Sequence, residues 1–112
     1  MERIAQGKSL EIFGNGMQTR DFVAIDDVVN SMYNVISYGK SGTYNIASGK
    51  TVTIKELAEL MVAASGKKVE IEYFAAKKGD IKHSQADISL AKKELGYSPK
   101  FELREEIKCL LE

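Results

Sequence analysis

The chain has 112 residues, with 16 Lys+Arg against 16 Asp+Glu and a formal net charge of zero. It is one domain's worth of ordinary globular composition, 44% hydrophobic and 29% charged, long enough to bury about two-thirds of its unfolded surface. Zero net charge gives no general attraction to nucleic acid or to an anionic membrane, no apolar run approaches a membrane span, and the start has no signal-like core. A single cysteine, Cys109, excludes an intramolecular disulfide. The expectation is a soluble, cytoplasmic protein in which Cys109 is buried in an apolar-periodic stretch.

Residues 2–6 read as a helix end stopped by Gly7. Residues 9–13 (SLEIF) alternate as a strand, Gly14-Asn15-Gly16 is turn chemistry, and residues 20–25 (RDFVAI) read as a second strand. The two strands are expected to pair as a hairpin. Asp26 is placed to cap a helix whose apolar stripe is Val28, Val29, Met32, Tyr33, Val35 and Ile36, ended by Gly39 and Gly42. Asp26 and Asp27 thus read as helix-start residues.

Residues 43–47 (TYNIA) read as a short strand and Ser48-Gly49-Lys50 as a loop. Thr53 with Glu56 makes a capping box, and Val52 with Leu57 a hydrophobic staple, for a helix closed by Gly66. Residues 69–73 (VEIEY) alternate again as a strand. Residues 75–85 show no period and form a long polar loop, of a length that is often functional. Asp87 is placed to cap a short helix ended by Gly96, Pro99 blocks its continuation, and Leu103, Ile107, Leu110 and Leu111 mark a last helix. The alternation of strands and helices predicts an α/β fold, a small mixed α/β lobe.

Three motifs point to chemistry that their context denies. Gly14-Asn15-Gly16-Met17-Gln18-Thr19 resembles a dinucleotide fingerprint, but that fingerprint needs a helix opening directly after the turn, and a strand is expected there. Ser48-Gly49-Lys50-Thr51 resembles the tail of a phosphate loop, with Tyr44 where the loop needs its first glycine. Tyr73 and Lys77 have a Tyr-x-x-x-Lys spacing, but they fall on a strand end and a loop, so they are not one helical turn apart. His83 is the only histidine and has no partner for a metal site, so it reads as a solvated loop residue. Tyr33, Tyr38 and Tyr44 read as core or rim.

Two loop segments pair a cation with an acid: Gln18-Thr19-Arg20-Asp21-Phe22 and Lys77-Lys78-Gly79-Asp80-Ile81. An arginine fork donates two parallel hydrogen bonds to a phosphate, lysine adds a point charge, and aspartate accepts from sugar hydroxyls or holds the arginine. On residue types alone two arrangements stay open. One is a diphosphate clamp; the other is a surface pair of Arg20 with Asp21 beside a solvated lysine loop.

The order of the segments GNGMQTRDFVAIDDVV (14–29), YNIASGKTVTIKELAEL (44–60) and KKGDIKHSQADISLAKKELGYSP (77–99) resembles the C-terminal part of the extended short-chain dehydrogenase/reductase family. These are the NAD-dependent nucleotide-sugar epimerases and dehydratases, and the branch resembled most is UDP-glucose 4-epimerase. The resemblance implies a single lobe over residues 1–112 that binds a UDP- or dTDP-sugar. It implies Arg20 and Lys77 on the diphosphate, Asp80 on the ribose hydroxyls or on the arginine, and Asn45 near the phosphates. The family commonly has arginine where Lys77 stands. Its glycine-rich NAD turn, catalytic Ser/Thr and Tyr-x-x-x-Lys pair belong upstream of the matched region. The resemblance therefore implies that this chain holds no cofactor and no catalytic residue, lacks the Rossmann nucleotide-binding core, and is inactive alone. A separate or missing Rossmann domain, or a second copy of the chain, is the expected partner. A self-associating interaction domain or a remnant of such an enzyme is the alternative.

Overall fold

The computed structural model describes residues Met1–Leu111. In chain order the elements are α1 (Glu2–Ala5), β1 (Leu10–Phe13), β2 (Thr19–Arg20), α2 (Ile25–Tyr38), β3 (Val52–Thr53), α3 (Ile54–Ser65), β4 (Ile71–Phe74), α4 (Ser89–Leu95) and α5 (Leu103–Leu111). The class is small mixed α/β, with two separate two-stranded sheets and no closed sheet among the described residues. Helix α2 packs on α4, and α3 packs on α5.

The expected hairpin does not form. Strand β1 pairs in parallel with β4, Leu10 opposite Ile71 through Phe13 opposite Phe74, and β2 pairs antiparallel with β3. The Gly14–Gly16 turn turns the chain toward α3 instead. The carbonyls of Gly16 and Gln18 accept the N–H groups of Lys55 and Ile54, two of the orphan donors at that helix start. Gly16 is needed there, since it sits at φ +75° and a Cβ would come 3.0 Å from Lys55 Cβ.

The expected second strand is limited to Thr19–Arg20, and residues 43–47 form no strand. Side chains hold that segment instead: Tyr97 Oη donates to the Ala47 carbonyl (2.6 Å), and Tyr44 Oη to Glu94 (2.7 Å). Helix α2 starts at Ile25 after Ala24, without a side-chain cap, so Asp26 lies inside the first turn instead of capping it. Asp27 is buried and reaches across to accept the N–H groups of Lys100 and Phe101 (2.9 and 3.3 Å), which ties the segment before α5 to α2. Asp87 accepts from the Ser89 N–H one residue ahead of α4's own N-cap, Ile88. Hydrogen bonding from the Ser89 hydroxyl, with the Ser89 N–H behind it, holds the Asp87 carboxyl below its ordinary pKa.

The capping box forms as read. Thr53 accepts from the Glu56 N–H, and the Glu56 carboxylate accepts from the Thr53 N–H (2.8 Å) and hydroxyl (2.9 Å). These bonds hold the Glu56 carboxyl below its ordinary pKa. A lowered folded-state pKa gives stability that is present above the unfolded value and is lost as pH falls through the folded value. The urea-midpoint advantage of the unaltered chain over Glu56→Ala is therefore expected at neutral pH and to shrink as acid protonates Glu56. An equal gap at neutral and strongly acidic pH would contradict this.

The main core is Ala47, Ile88, Ala91, Leu95 and Tyr97, with Val35, Tyr44, Ile46 and Ala86 packed against it. Tyr44 is thus at the rim of the core, but Tyr33 and Tyr38 are exposed. The apolar stripe of α2, which the sequence places in the core, is there only in part: Val28 is half-buried and Val35 meets the core, but Val29, Met32, Tyr33 and Ile36 are exposed, joined by Ile25, and the buried residues of α2 are Asp27 and Ser31. Cys109, expected to be buried, is exposed on α5.

The shape agrees with these exposures. The Cα radius of gyration is 16.5 Å, against about 13 Å for a compact chain of this length, and the shortest extent is 16 Å. The accessible surface is 7777 Å², where a compact monomer of this mass exposes about 6,100 Å². The molecule is a slab, and it buries less than the two-thirds expected from length.

Candidate functional site

Strand β2 holds Arg20 in place by lying between two neighbours. On one side Arg20 is opposite Val52 of β3. On the other, the Thr19 N–H donates to the Lys82 carbonyl (2.8 Å), and the Ser84 N–H to the Thr19 carbonyl (3.2 Å). Local sequence placed the second segment in a polar loop. Those two backbone bonds bring that loop against β2.

The contact fixes the arginine's partner. Arg20 Nη2 donates to Asp80 Oδ1 (2.7 Å), while Nη1 donates to the carbonyls of Ile81 (2.6 Å) and Thr19 (2.8 Å). Of the two roles open for an acid beside Arg20, the geometry gives the arginine to Asp80 and not to its neighbour Asp21. Asp21 turns to the 48–50 loop, accepting from the Ser48 N–H (2.8 Å), the Ser48 hydroxyl (2.6 Å) and the Gly49 N–H (3.0 Å).

Lys77 Nζ lies over the Phe13 ring, 4.0 Å from its centroid, a cation–π seat. Phe13 in turn packs at 5.8 Å against Phe74, its partner across β1 and β4. Arg20, Lys77 and Asp80 line one open hollow of about 480 Å³, together with Phe13 and Gln18. A second hollow of about 640 Å³ shares Phe13, Gln18, Lys77 and Asp80 and extends to Asn15, Met17 and His83. Glu11 also faces the first hollow, but Arg3 engages its carboxylate at 2.9 Å. The hollow thus presents a guanidinium and an ammonium from different segments, with one carboxylate already bonded to the guanidinium.

The fourth predicted residue is not brought to this group. Asn45 sits on the 43–47 segment, where its Nδ2 donates to the Asp87 carbonyl (3.2 Å). Sequence reasoning missed three participants. Phe13 was read only as a strand end; the cue was an aromatic directly before the Gly14–Gly16 turn. Gln18 donates from Nε2 to the Phe13 carbonyl (2.8 Å), fixing the turn's outlet. His83 is exposed, as expected of a solvated loop residue, and its Nδ1 is also 3.1 Å from the Thr19 hydroxyl, at the joint between loop and strand.

None of the three rejected motifs gains a context in the fold. No helix opens after Gly14-Asn15-Gly16, so no helix N-terminus faces a pyrophosphate there, and this turn does not fit a dinucleotide. The Ser48–Lys50 loop leads into β3; Asp21 takes its Ser48 and Gly49 N–H groups, and the Ser48 hydroxyl takes the Lys50 N–H. Tyr73 is in β4 and Lys77 in the following loop. Among the described residues no group of His, Cys, Asp and Glu side chains is placed to hold a metal ion, and no helix is long and apolar enough to cross a membrane.

Comparison with known proteins gives a consistent family. The family model for GDP-mannose 4,6-dehydratase matches residues 1–110. UDP-glucuronate 4-epimerase of Thermodesulfobacterium geofontis is 35% identical over 94% of this chain and 33% of its own length. UDP-glucose 4-epimerase of Mycolicibacterium smegmatis is 32% identical over 95% of this chain and 34% of its own. Among solved structures, UDP-glucose 4-epimerase of Thermotoga maritima with UDP-glucose superposes with a TM-score of 0.91 at 34% identity, covering 98% of this chain and 36% of that one. UDP-glucuronic acid 4-epimerase of Bacillus cereus, in complex with UDP-glucuronic acid and NAD, gives a TM-score of 0.86 at 30% identity over 96% of this chain and 35% of that one. The chain spans about a third of the length of the relatives it matches. With its order of motifs, its fold and these likenesses in agreement, the chain belongs to the GDP-mannose 4,6-dehydratase family, the NAD-dependent nucleotide-sugar epimerases and dehydratases of the extended short-chain dehydrogenase/reductase group.

Proposed function

We propose that this chain is the nucleotide-sugar-binding lobe of such an enzyme, a single domain over residues 1–112 that takes a UDP- or dTDP-sugar. The observation that carries the reading is the convergence of Arg20, Lys77 and Asp80, from segments some 60 positions apart, on one hollow. The pyrophosphate sits between the two cations. Arg20 offers its unused N–H edge, Asp80 holds the guanidinium planar to that task or takes the ribose hydroxyls, and Lys77 leaves the Phe13 face to meet the second phosphate. Asn45 does not line this hollow and carries no part of the clamp in this reading.

NAD supplies the redox chemistry of the family; in this reading it is held by a Rossmann domain that the present chain does not supply. The chain itself binds and orients the sugar and is inactive alone. The exposed face of α2 supports a missing partner, because Ile25, Val29, Met32, Tyr33 and Ile36 form one apolar stripe on a slab that exposes about 1,600 Å² more than a compact monomer. The same stripe supports a second reading, a self-associating domain whose copies cover each other's α2. Sedimentation over a range of concentrations separates the two, since a strict monomer contradicts self-association.

The test of the binding reading is an NMR titration with UDP and UDP-sugars. The expected result is saturable shifts at Arg20, Lys77 and Asp80, and their absence at millimolar ligand overturns it. A gain-of-affinity variant adds a second check. Lys77→Arg restores a two-pronged donor that can also stack on Phe13, and is expected to tighten UDP binding about fivefold in calorimetry. Weaker binding by that variant would contradict a phosphate role for position 77.

A further inference from the structure

The clamp's two halves come from segments that local structure does not join: Arg20 on β2, and Lys77 with Asp80 on the 75–85 loop. Two backbone bonds to Thr19 hold the loop's far end against β2. A second tie runs around the outside. Asp21, next to Arg20, accepts three hydrogen bonds from Ser48 and Gly49. The carbonyl of Gly49 then accepts from Gln85 Nε2 (2.9 Å), and Gln85 is the last residue of the loop that carries Lys77 and Asp80.

The middle of this chain of bonds is anchored. Gly49 is at φ +72°, and a Cβ there would meet Ile88 Cδ1 at 2.9 Å, so its backbone is pressed against a buried core side chain. The 48–50 loop is thereby packed at Gly49 against the core. It offers a fixed carboxylate partner on one side and a fixed carbonyl on the other.

We infer that Asp21 and Gln85 are positioning residues for the anion site: through the Ser48–Gly49 backbone they set the separation between Arg20 and the Lys77–Asp80 loop. The inference rests on the binding reading above for its ligand, a nucleoside diphosphate, and on geometry alone for the tie. Neither side chain touches the ligand. Both act by holding the segments that carry the two cations against each other before it arrives, which lowers the ordering cost of binding.

Asp21→Asn distinguishes positioning from charge. Its amide keeps an acceptor for Ser48 but turns a donor toward the Gly49 N–H, so the tie weakens. At the same time it removes a negative charge near an anionic ligand, which by itself tightens binding. Positioning predicts the opposite sign, about fivefold weaker UDP binding by the 112-residue chain. Gln85→Met, close in size and neutral, loses the bond to Gly49 and is expected to weaken UDP binding to a similar extent. The double variant is expected to be little worse than the worse single one, because both break the same tie.

Amide hydrogen exchange without ligand reads the tie directly. Loss of protection at Thr19 and Ser84 in both variants, at an unchanged urea midpoint, is expected. Unchanged protection overturns the inference. So does unchanged or tighter UDP binding by Asp21→Asn when the unaltered chain binds UDP. If the unaltered chain takes no UDP, the binding reading alone falls, and the exchange result still decides whether the tie exists.

Discussion

Arg20→Ala should weaken UDP binding by about ten- to a hundredfold, the scale of one or two charge-assisted hydrogen bonds of ~1.5–3 kcal/mol. The loss has two sources. The fork that faces the pyrophosphate is gone, and Asp80, which now bonds Arg20 Nη2 at 2.7 Å, is left as an uncompensated carboxylate in the same hollow. Arg20→Lys keeps the charge but loses the planar fork that reaches Asp80, the Ile81 carbonyl and a phosphate from fixed directions, so its affinity should fall between those of the unaltered chain and Arg20→Ala. The fold should survive either change. The Arg20 and Asp80 side chains are 27% and 39% exposed, where an ion pair contributes only ~0–1 kcal/mol to stability. Calorimetry with UDP measures the affinity, and a urea melt checks that the variants are folded. An alanine variant that binds UDP as the unaltered chain does would remove Arg20 from the site.

The largest stability effect is expected at Leu95. It is fully buried on α4, in contact with the cluster of Ala47, Ile88, Ala91 and Tyr97. Truncation to alanine leaves a cavity that a small core cannot refill, at a cost of ~2–5 kcal/mol. Domains of this size are stable by ~5–15 kcal/mol, and a slab that buries less than a compact monomer belongs toward the low end. Leu95→Ala should therefore move the urea midpoint sharply down and leave a visible unfolded fraction in buffer. Leu110→Ala is the control. Leu110 is 71% exposed, and its truncation should change stability by less than about 0.5 kcal/mol. Equal effects at the two positions would show that the core is not where the structure puts it.

The contrast between Leu95 and Leu110 also shows what the sequence can and cannot tell. Local signals were readable. The Thr53–Glu56 capping box, the Gly96 stop at φ 59° and the polar 75–85 loop all depend on residues a few positions apart. Pairing over distance was not readable. Nothing near residues 10–13 says that β1 will spend its edge on residues 71–74, so a hairpin across the Gly14–Gly16 turn was the economical expectation. The outward part of the α2 stripe and Cys109 differ from expectation for another reason. Their apolar periodicity was read correctly, but a period says only that a face seeks cover, not that the cover lies in the same 112 residues.

The site was legible in part for the same reasons. Arg20, Lys77 and Asp80 are candidates by residue type and by the order of motifs. Their arrangement was not legible, because it depends on contacts between distant residues: Asp80 takes Arg20 across 60 positions, Asp21 is drawn off by the Ser48–Gly49 N–H groups, and Lys77 rests on Phe13. Family resemblance placed Asn45 near the phosphates; in the fold its Nδ2 donates to the Asp87 carbonyl, and it does not line the hollow shared by Arg20, Lys77 and Asp80.

The central claim is that two cations from different segments hold a pyrophosphate, and a ladder of ligands tests it most directly. Calorimetric titration with uridine, UMP and UDP should give affinity that rises at each added phosphate, with the UMP and UDP steps lost in the Arg20→Ala/Lys77→Ala double variant. Uridine binding as tightly as UDP, or a ladder that survives the double variant, would contradict it.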